Sequence, residues 1–123
     1  MILNFTKQTL QPDITALVMQ GSIHCGPECA RLEREVDGLI AARQTRVIFD
    51  MAGVTHADSA AIGSIIRSLT KLKSAGGALR IAAAHPMIEH SLKLTKVDKL
   101  IEMFPTVDQA AIGFSAGGSA SIP

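Results

Sequence analysis

Between Arg46 and Ala83 the sequence changes its hydrophobic period twice, and that succession dictates a strand–helix–strand unit. Arg46–Met51 (RVIFDM) is a compact apolar run and reads as a strand. Asp58–Ser74 then places Ile62, Ile65, Ile66, Leu69 and Leu72 on one helical stripe. Asp58 is a good N-cap, Lys71 and Lys73 fall in the last turn, and Gly76 stands just beyond as a stop. Leu79–Ala83 returns to strand. Strands that alternate with helices in this way build βαβ units on a parallel or mixed sheet.

The flanking segments extend the pattern. Ile2–Thr6 alternates weakly, with Leu3 and Phe5 on one face, and reads as a short edge strand. Asp13–Gln20 is apolar on both faces, as a central strand is, and Gly21 breaks the run. Two strands before any helix imply an antiparallel pair. Gly26–Ala42 carries Leu32, Val36, Leu39 and Ile40 at helical spacing, with Pro27 in the first turn, where its missing N–H costs nothing. Pro86 opens a third helix bearing Ile88, Leu92 and Leu94, Ile101–Phe104 is a last short strand, and Val107, Ala110, Ala111 and Phe114 mark a final helix. The expected fold is therefore α/β, a mixed four- to five-stranded sheet packed with about four helices. The folded domain is expected over 1–114, and the Gly/Ser/Ala-rich run 115–123 (SAGGSASIP) is read as a disordered tail.

Composition removes several function classes. Aromatics make up 3% of the 123 residues, with no Trp and no Tyr, so there are no platforms for stacking bases. The formal net charge is +1 and no basic run stands out, so no nucleic-acid partner is expected. No stretch of eighteen apolar residues exists, and the opening MILNFTKQTL lacks a charged segment followed by an apolar one. No membrane insertion and no signal peptide are expected, and with two cysteines the expected compartment is the cytoplasm.

The stretch Val47–Gly63 (VIFDMAGVTHADSAAIG) resembles the signature of STAS domains, found in anti-sigma factor antagonists and in the cytosolic tails of sulfate-type anion transporters. The pattern is an apolar strand ending in Asp, a short loop with Val or Ile, then Asp-Ser-Ser/Thr-Gly-Leu-Gly at a helix start; the matching residues are Asp50, Val54, Asp58, Ser59, Ile62 and Gly63. Lys71–Arg80 (KLKSAGGALR) looks like the family's Gly-Gly turn before the next strand. His85–Leu100 (HPMIEHSLKLTKVDKL) looks like its Pro-started helix followed by Leu-Thr-Gly-Leu and Asp-Lys-Leu. Gly21-Ser22-Ile23 stands where Gly-Glu-Leu-Asp is usual. The resemblance covers about residues 12 to 114. The chain departs from the pattern at Ala60 and Ala61, at His24, which replaces an Asp, and in a segment before Leu32 that is one residue longer.

The resemblance implies a non-enzymatic regulator of transcription. Ser59 is then the residue phosphorylated by a serine kinase that is also the anti-sigma factor; the unphosphorylated domain binds that kinase, and a PP2C-type phosphatase resets the switch. Ser22, His24, Asp50, His56, Asp58, Ser59, Ile62 and Gly63 are expected to form the partner-binding surface, with the first four on loops at one end of the sheet. The other use of such a domain is as a structural STAS subunit of a transport complex.

Residue chemistry alone reads Asp58-Ser59 as a helix cap. His24, Cys25 and Cys29 (HCGPEC) have an unusual Cys-x₃-Cys spacing and no second pair, so no metal site is expected and two semi-buried small residues suffice. His56, Asp58 and Ser59 lie too close in sequence to form a triad, and no G-x-S-x-G elbow is present, so no catalytic residue and no cofactor are expected.

Overall fold

A computed structural model describes residues 4–11, 14–23 and 27–112. Five strands form one sheet: β1 (Asn4–Gln11), β2 (Ile14–Ile23), β3 (Arg46–Ala57), β4 (Ala78–Ala82) and β5 (Glu102–Phe104). The helices are α1 (Pro27–Ala41), α2 (Ser59–Ser74) and α3 (Pro86–Leu94), with a 3₁₀ turn at Val97–Lys99, and residues 107–112 are helical as α4. The strands lie side by side in chain order, β1 antiparallel to β2 and every later neighbour parallel. The sheet is thus mixed, as the sequence implied.

Each parallel pair is joined through a helix. Crossovers between adjacent strands that all step in one direction and share one hand fall on one face of the sheet. Accordingly Leu32, Val36 and Leu39 of α1, Ile65, Leu69 and Leu72 of α2, and Ile88 and Leu92 of α3 form one core with Leu17, Met19, Val47, Phe49 and Met51 of the strands. The opposite face carries a smaller cluster, in which Ala110 and Ala111 of α4 cover Ile14, Ala16, Ile48 and Ala82. The alternation along β3 between the two cores is the period of a strand buried on both faces.

The strands differ from the sequence reading at their ends. β1 runs to Gln11, five residues past Thr6, through mostly exposed side chains that carry no apolar signal. β2 passes Gly21 to Ile23, and β3 runs to Ala57 where a loop was expected after Met51. The parallel register shifts between Val18 and Gln20 and again between Gly21 and Ser22, so β3 bulges twice and keeps its partner. Two glycines permit this. Gly21 adopts φ 119°, and a β-carbon on Gly53 would lie 2.9 Å from the carbonyl oxygen of Met19. Beyond Asp50, where β4 ends its pairing at Ala82, β2 and β3 continue as a two-stranded ribbon.

Leu94, expected in the core, is 69% exposed at the end of α3, while Ile88 and Leu92 supply the buried side of that helix. Phe114 and the run 115–123 lie outside the described residues. No described helix is long and apolar enough to cross a membrane.

After α3 the chain turns through Lys96 at φ 64°, the position that aligns with Gly in the Leu-Thr-Gly-Leu pattern. A side chain in this conformation costs about 1 kcal/mol. Lys96→Gly is therefore expected to raise the unfolding free energy by about that amount in urea titration. Gly53→Ala should lower it by about 1–3 kcal/mol, because the new β-carbon meets backbone that cannot move without breaking the ribbon.

Candidate functional site at the start of α2

The β2–β3 ribbon delivers the chain directly into α2. The Asp58 N–H donates to the carbonyl of Ile23 at 3.2 Å, tying the helix entry to the tip of β2. Asp58 keeps an extended backbone and its Oδ1 accepts from the Ala61 N–H at 2.9 Å, the bond that an N-cap side chain makes. Ser59 follows as the first residue of the sixteen-residue helix, and its side chain is exposed. Helix geometry gives the first-turn amides no carbonyl partner. The cap takes that of Ala61, and among the described residues those of Ser59 and Ala60 meet no acceptor. The Ser59 hydroxyl thus stands at the positive pole of a long helix, beside two amides free to bind oxygen.

His56 is exposed on the ribbon, its Nδ1 3.2 Å from Thr55 Oγ1, which also donates to the carbonyl of Gly21 at 3.3 Å. Ser22 pairs with His56 in register, and its hydroxyl lies 3.2 Å from that of Thr55. Ser22 is buried and braces the ribbon from within. Gly63, one turn along α2 from Ser59, is half-buried. His56, Asp58, Ser59 and Gly63 therefore share one end of the molecule.

Ile62 and Asp50 do not join them. Ile62 is buried in the main core, since it belongs to the apolar stripe of α2 and cannot also face a partner. Asp50 follows Ile48 in the alternation of β3, which places it on the face opposite α2; its Oδ1 accepts from the Ala52 N–H at 3.1 Å. Ser22, Asp50 and His56 lie in strands and not in the loops that were expected, because the ribbon continues past Gly21 and Met51. His24 lies outside the described residues.

The structure adds neighbours that the sequence did not single out. A cleft of about 240 Å³ opens between the end of β3 and α3, lined by Thr55, His56, Ala57, Asp58, Met87, Ile88 and Ser91. Met87 is 82% exposed at its rim, and Leu94 lies two turns further along α3. Met87, Ser91 and Leu94 are spaced i, i+4, i+7, a stripe present in the sequence beside the Ile88, Leu92 and Leu94 positions that mark the helix.

The pitch of α2 is fixed by a charged contact with α1. Glu33 Oε2 accepts from the buried Ser64 hydroxyl at 2.9 Å and from Arg67 Nε at 3.0 Å, while Oε1 lies 3.7 Å from Lys71 Nζ. Lys71 also reaches Asp37 at 3.2 Å. Burial by itself raises the Glu33 carboxyl, but the hydrogen bonds from Ser64 and Arg67 and the charges of Arg67 and Lys71 outweigh it, so its pKa falls below 4.5.

With this geometry in place, the comparison with known families is decisive. The profile of the STAS domain matches residues 7–110. This chain belongs to the STAS domain family. A Thermotoga maritima protein provisionally named an anti-sigma factor antagonist is 25% identical over 65 residues, 53% of the present chain. The chain spans 58% of that relative's length. Among solved structures, an anti-sigma factor antagonist from Mycobacterium paratuberculosis superposes with a TM-score of 0.80 at 19% identity, covering 91% of this chain and 93% of the other. The Bacillus cell fate determinant SpoIIAA in its phosphorylated form gives 0.69 at 13% identity, with 88% and 96% covered. At these identities the likeness shows a common fold.

Two stability measurements check the framework of the site. Asp58→Ala should lower stability by about 1 kcal/mol through loss of the cap. Glu33 is ionised more readily folded than unfolded, so its carboxylate stabilises the STAS domain above pH 4.5 and this contribution fades as pH falls through the lowered folded value. Glu33→Gln is therefore expected to be less stable than the natural protein at pH 7. The two unfolding free energies should converge as the pH drops below 4.5.

Proposed function

We propose that this STAS domain is an anti-sigma factor antagonist, a binding protein and not an enzyme, whose affinity for an anti-sigma factor serine kinase is switched by phosphorylation of Ser59. The observation that carries the reading is the exposed Ser59 hydroxyl at the first position of α2, with Asp58 capping the helix and the amides of Ser59 and Ala60 free. A phosphate there is favoured by those amides and by the helix dipole, so the fold tolerates it. The name of the Thermotoga maritima relative and the phosphorylated form of the SpoIIAA structure support the same reading.

The docking surface in this proposal is the exposed part of the site: His56, Ser59, Gly63 and the adjoining cleft with Met87 and Ser91. Phosphorylation adds about −1.5 to −2 charges at pH 7. Buried against a partner without a counter-charge, they cost several kcal/mol, and each ~1.4 kcal/mol is tenfold in affinity. The switch spoils an interface and leaves the domain folded. A PP2C-type phosphatase restores the binding form.

Phosphopeptide mapping after incubation with ATP and a lysate of the source organism is expected to find one phosphate, on Ser59, lost in Ser59→Ala. With the kinase so recovered, Ser59→Asp should bind at least about tenfold more weakly than Ser59→Ala. Equal binding of the two variants rejects the switch. Co-purification of an ABC ATPase, with Ser59 unmodified in a lysate that phosphorylates other substrates, would instead identify a subunit of a transport complex.

A further inference from the structure

Arg67 stands two turns beyond Ser59 on α2, and its exposed side chain folds along the helix, with Nε on Glu33 and Nη1 over Gly63. A β-carbon placed on Gly63 would lie 3.4 Å from Arg67 Nη1, so the group rests over the glycine one turn below Ser59. Helical side chains lean toward the N-terminus, which aims Arg67 along the face that leads to the phosphorylation position. Residues i and i+4 lie about 5–6 Å apart at their β-carbons, so the guanidinium is one such step from Ser59. Any larger residue at 63 would fill this path.

The donors are divided in a useful way. Arg67 Nε is engaged with Glu33 Oε2, whereas Nη1 is the atom nearest Gly63. A guanidinium has five N–H donors in a rigid fork and can bind two acceptors at once. Glu33 does not depend on Arg67 alone, because Ser64 donates to the same carboxylate and Lys71 faces its other oxygen. Arg67 can therefore turn toward a new anion without leaving Glu33 without a partner. Among the described residues, His56 on the ribbon and the cap carboxylate of Asp58, the latter held by Ala61, are ionisable groups at the start of α2.

We infer that Arg67 is the internal receptor for a phosphate on Ser59: it donates from Nη1 across Gly63 to a phosphoryl oxygen, while the amides of Ser59 and Ala60 hold the others. Arg67 is thus a positioning residue. It holds the phosphate against the domain's own helix and offsets part of its charge. This rests on Ser59 as the site of modification, and it supplies a counter-charge for a doubly charged group at a helix entry where Ala60 and Ala61 offer no side-chain donor.

The test installs phosphoserine at position 59 by suppression of an amber codon, so it needs no kinase. The phosphate is then titrated by phosphorus NMR in the natural sequence and in Arg67→Gln, with melting curves to verify that both proteins are folded. A cation within reach favours the doubly charged phosphate. The apparent second pKa is expected to be lower with Arg67 than with Gln by about half a unit or more. A second readout is the Arg67 Nε–H resonance, which should move with the phosphate titration in the natural sequence. Identical titrations with a static Arg67 resonance overturn the proposal. Because the phosphate is placed by synthesis, that outcome is distinct from a failure of cellular kinases to modify Ser59.

Discussion

The parallel ladder between β2 and β3 is the interaction on which the rest of the molecule depends. β2 and the first half of β3 are buried on two faces, and the pairing runs from Ile14 opposite Arg46 to Ile23 opposite Ala57. No other pair extends so far. β1 hangs on the outer edge of β2, β4 on the outer edge of β3, and α1, α2 and α3 pack on one face of the sheet. The ladder also outlasts the rest of the sheet. Its last residues stand clear of β4 and carry the entry of α2, so the position of Ser59 is set by main-chain hydrogen bonds and not by a loop.

A site built this way is rigid underneath and open above. The buried hydroxyl of Ser22, the Thr55 hydroxyl and the Gly21 carbonyl brace the ribbon, and the Asp58 amide locks it to the helix. From the other side, the contact of Glu33 with Ser64, Arg67 and Lys71 fixes how α2 lies against α1. What reaches solvent between these two anchors is the first turn of a helix with unused donors. That is a place where charge can be added without disturbing the core.

How much of this could be read from residues alone follows from what kind of force shapes each part. α2 was legible almost to the residue: its stripe, the Asp58 cap and the Gly76 stop are side-chain signals, and the helix runs Ser59–Ser74. The extension of β3 was not, because Gly53 and His56 pair through their backbones, Thr55 is a bulge residue between them, and the segment shows no alternation of buried side chains. The full length of β1 was hidden for the same reason, as Lys7, Gln8 and Thr9 are exposed. At the site, Asp58 and Ser59 stood where the sequence put them. Ile62 was assigned to both a core stripe and a docking surface, and burial decides for the stripe. Asp50 looked like a neighbour of Ser59 until strand alternation placed it across the sheet. Leu94 shows the converse: helical spacing gave it a face, but the helix ends before anything packs on it.

The order of the strands has a consequence for how the chain is made. Because β1 to β5 lie in the sheet as they lie in the sequence, each strand docks beside the one synthesised just before it. The hairpin of β1 and β2 closes locally, and each later strand, following the helix that precedes it, adds to a single growing edge. No strand has to be inserted between two that are already paired. A chain emerging in that order can bury its surface progressively, with only one unsatisfied seam waiting at any moment for the next strand to leave the ribosome.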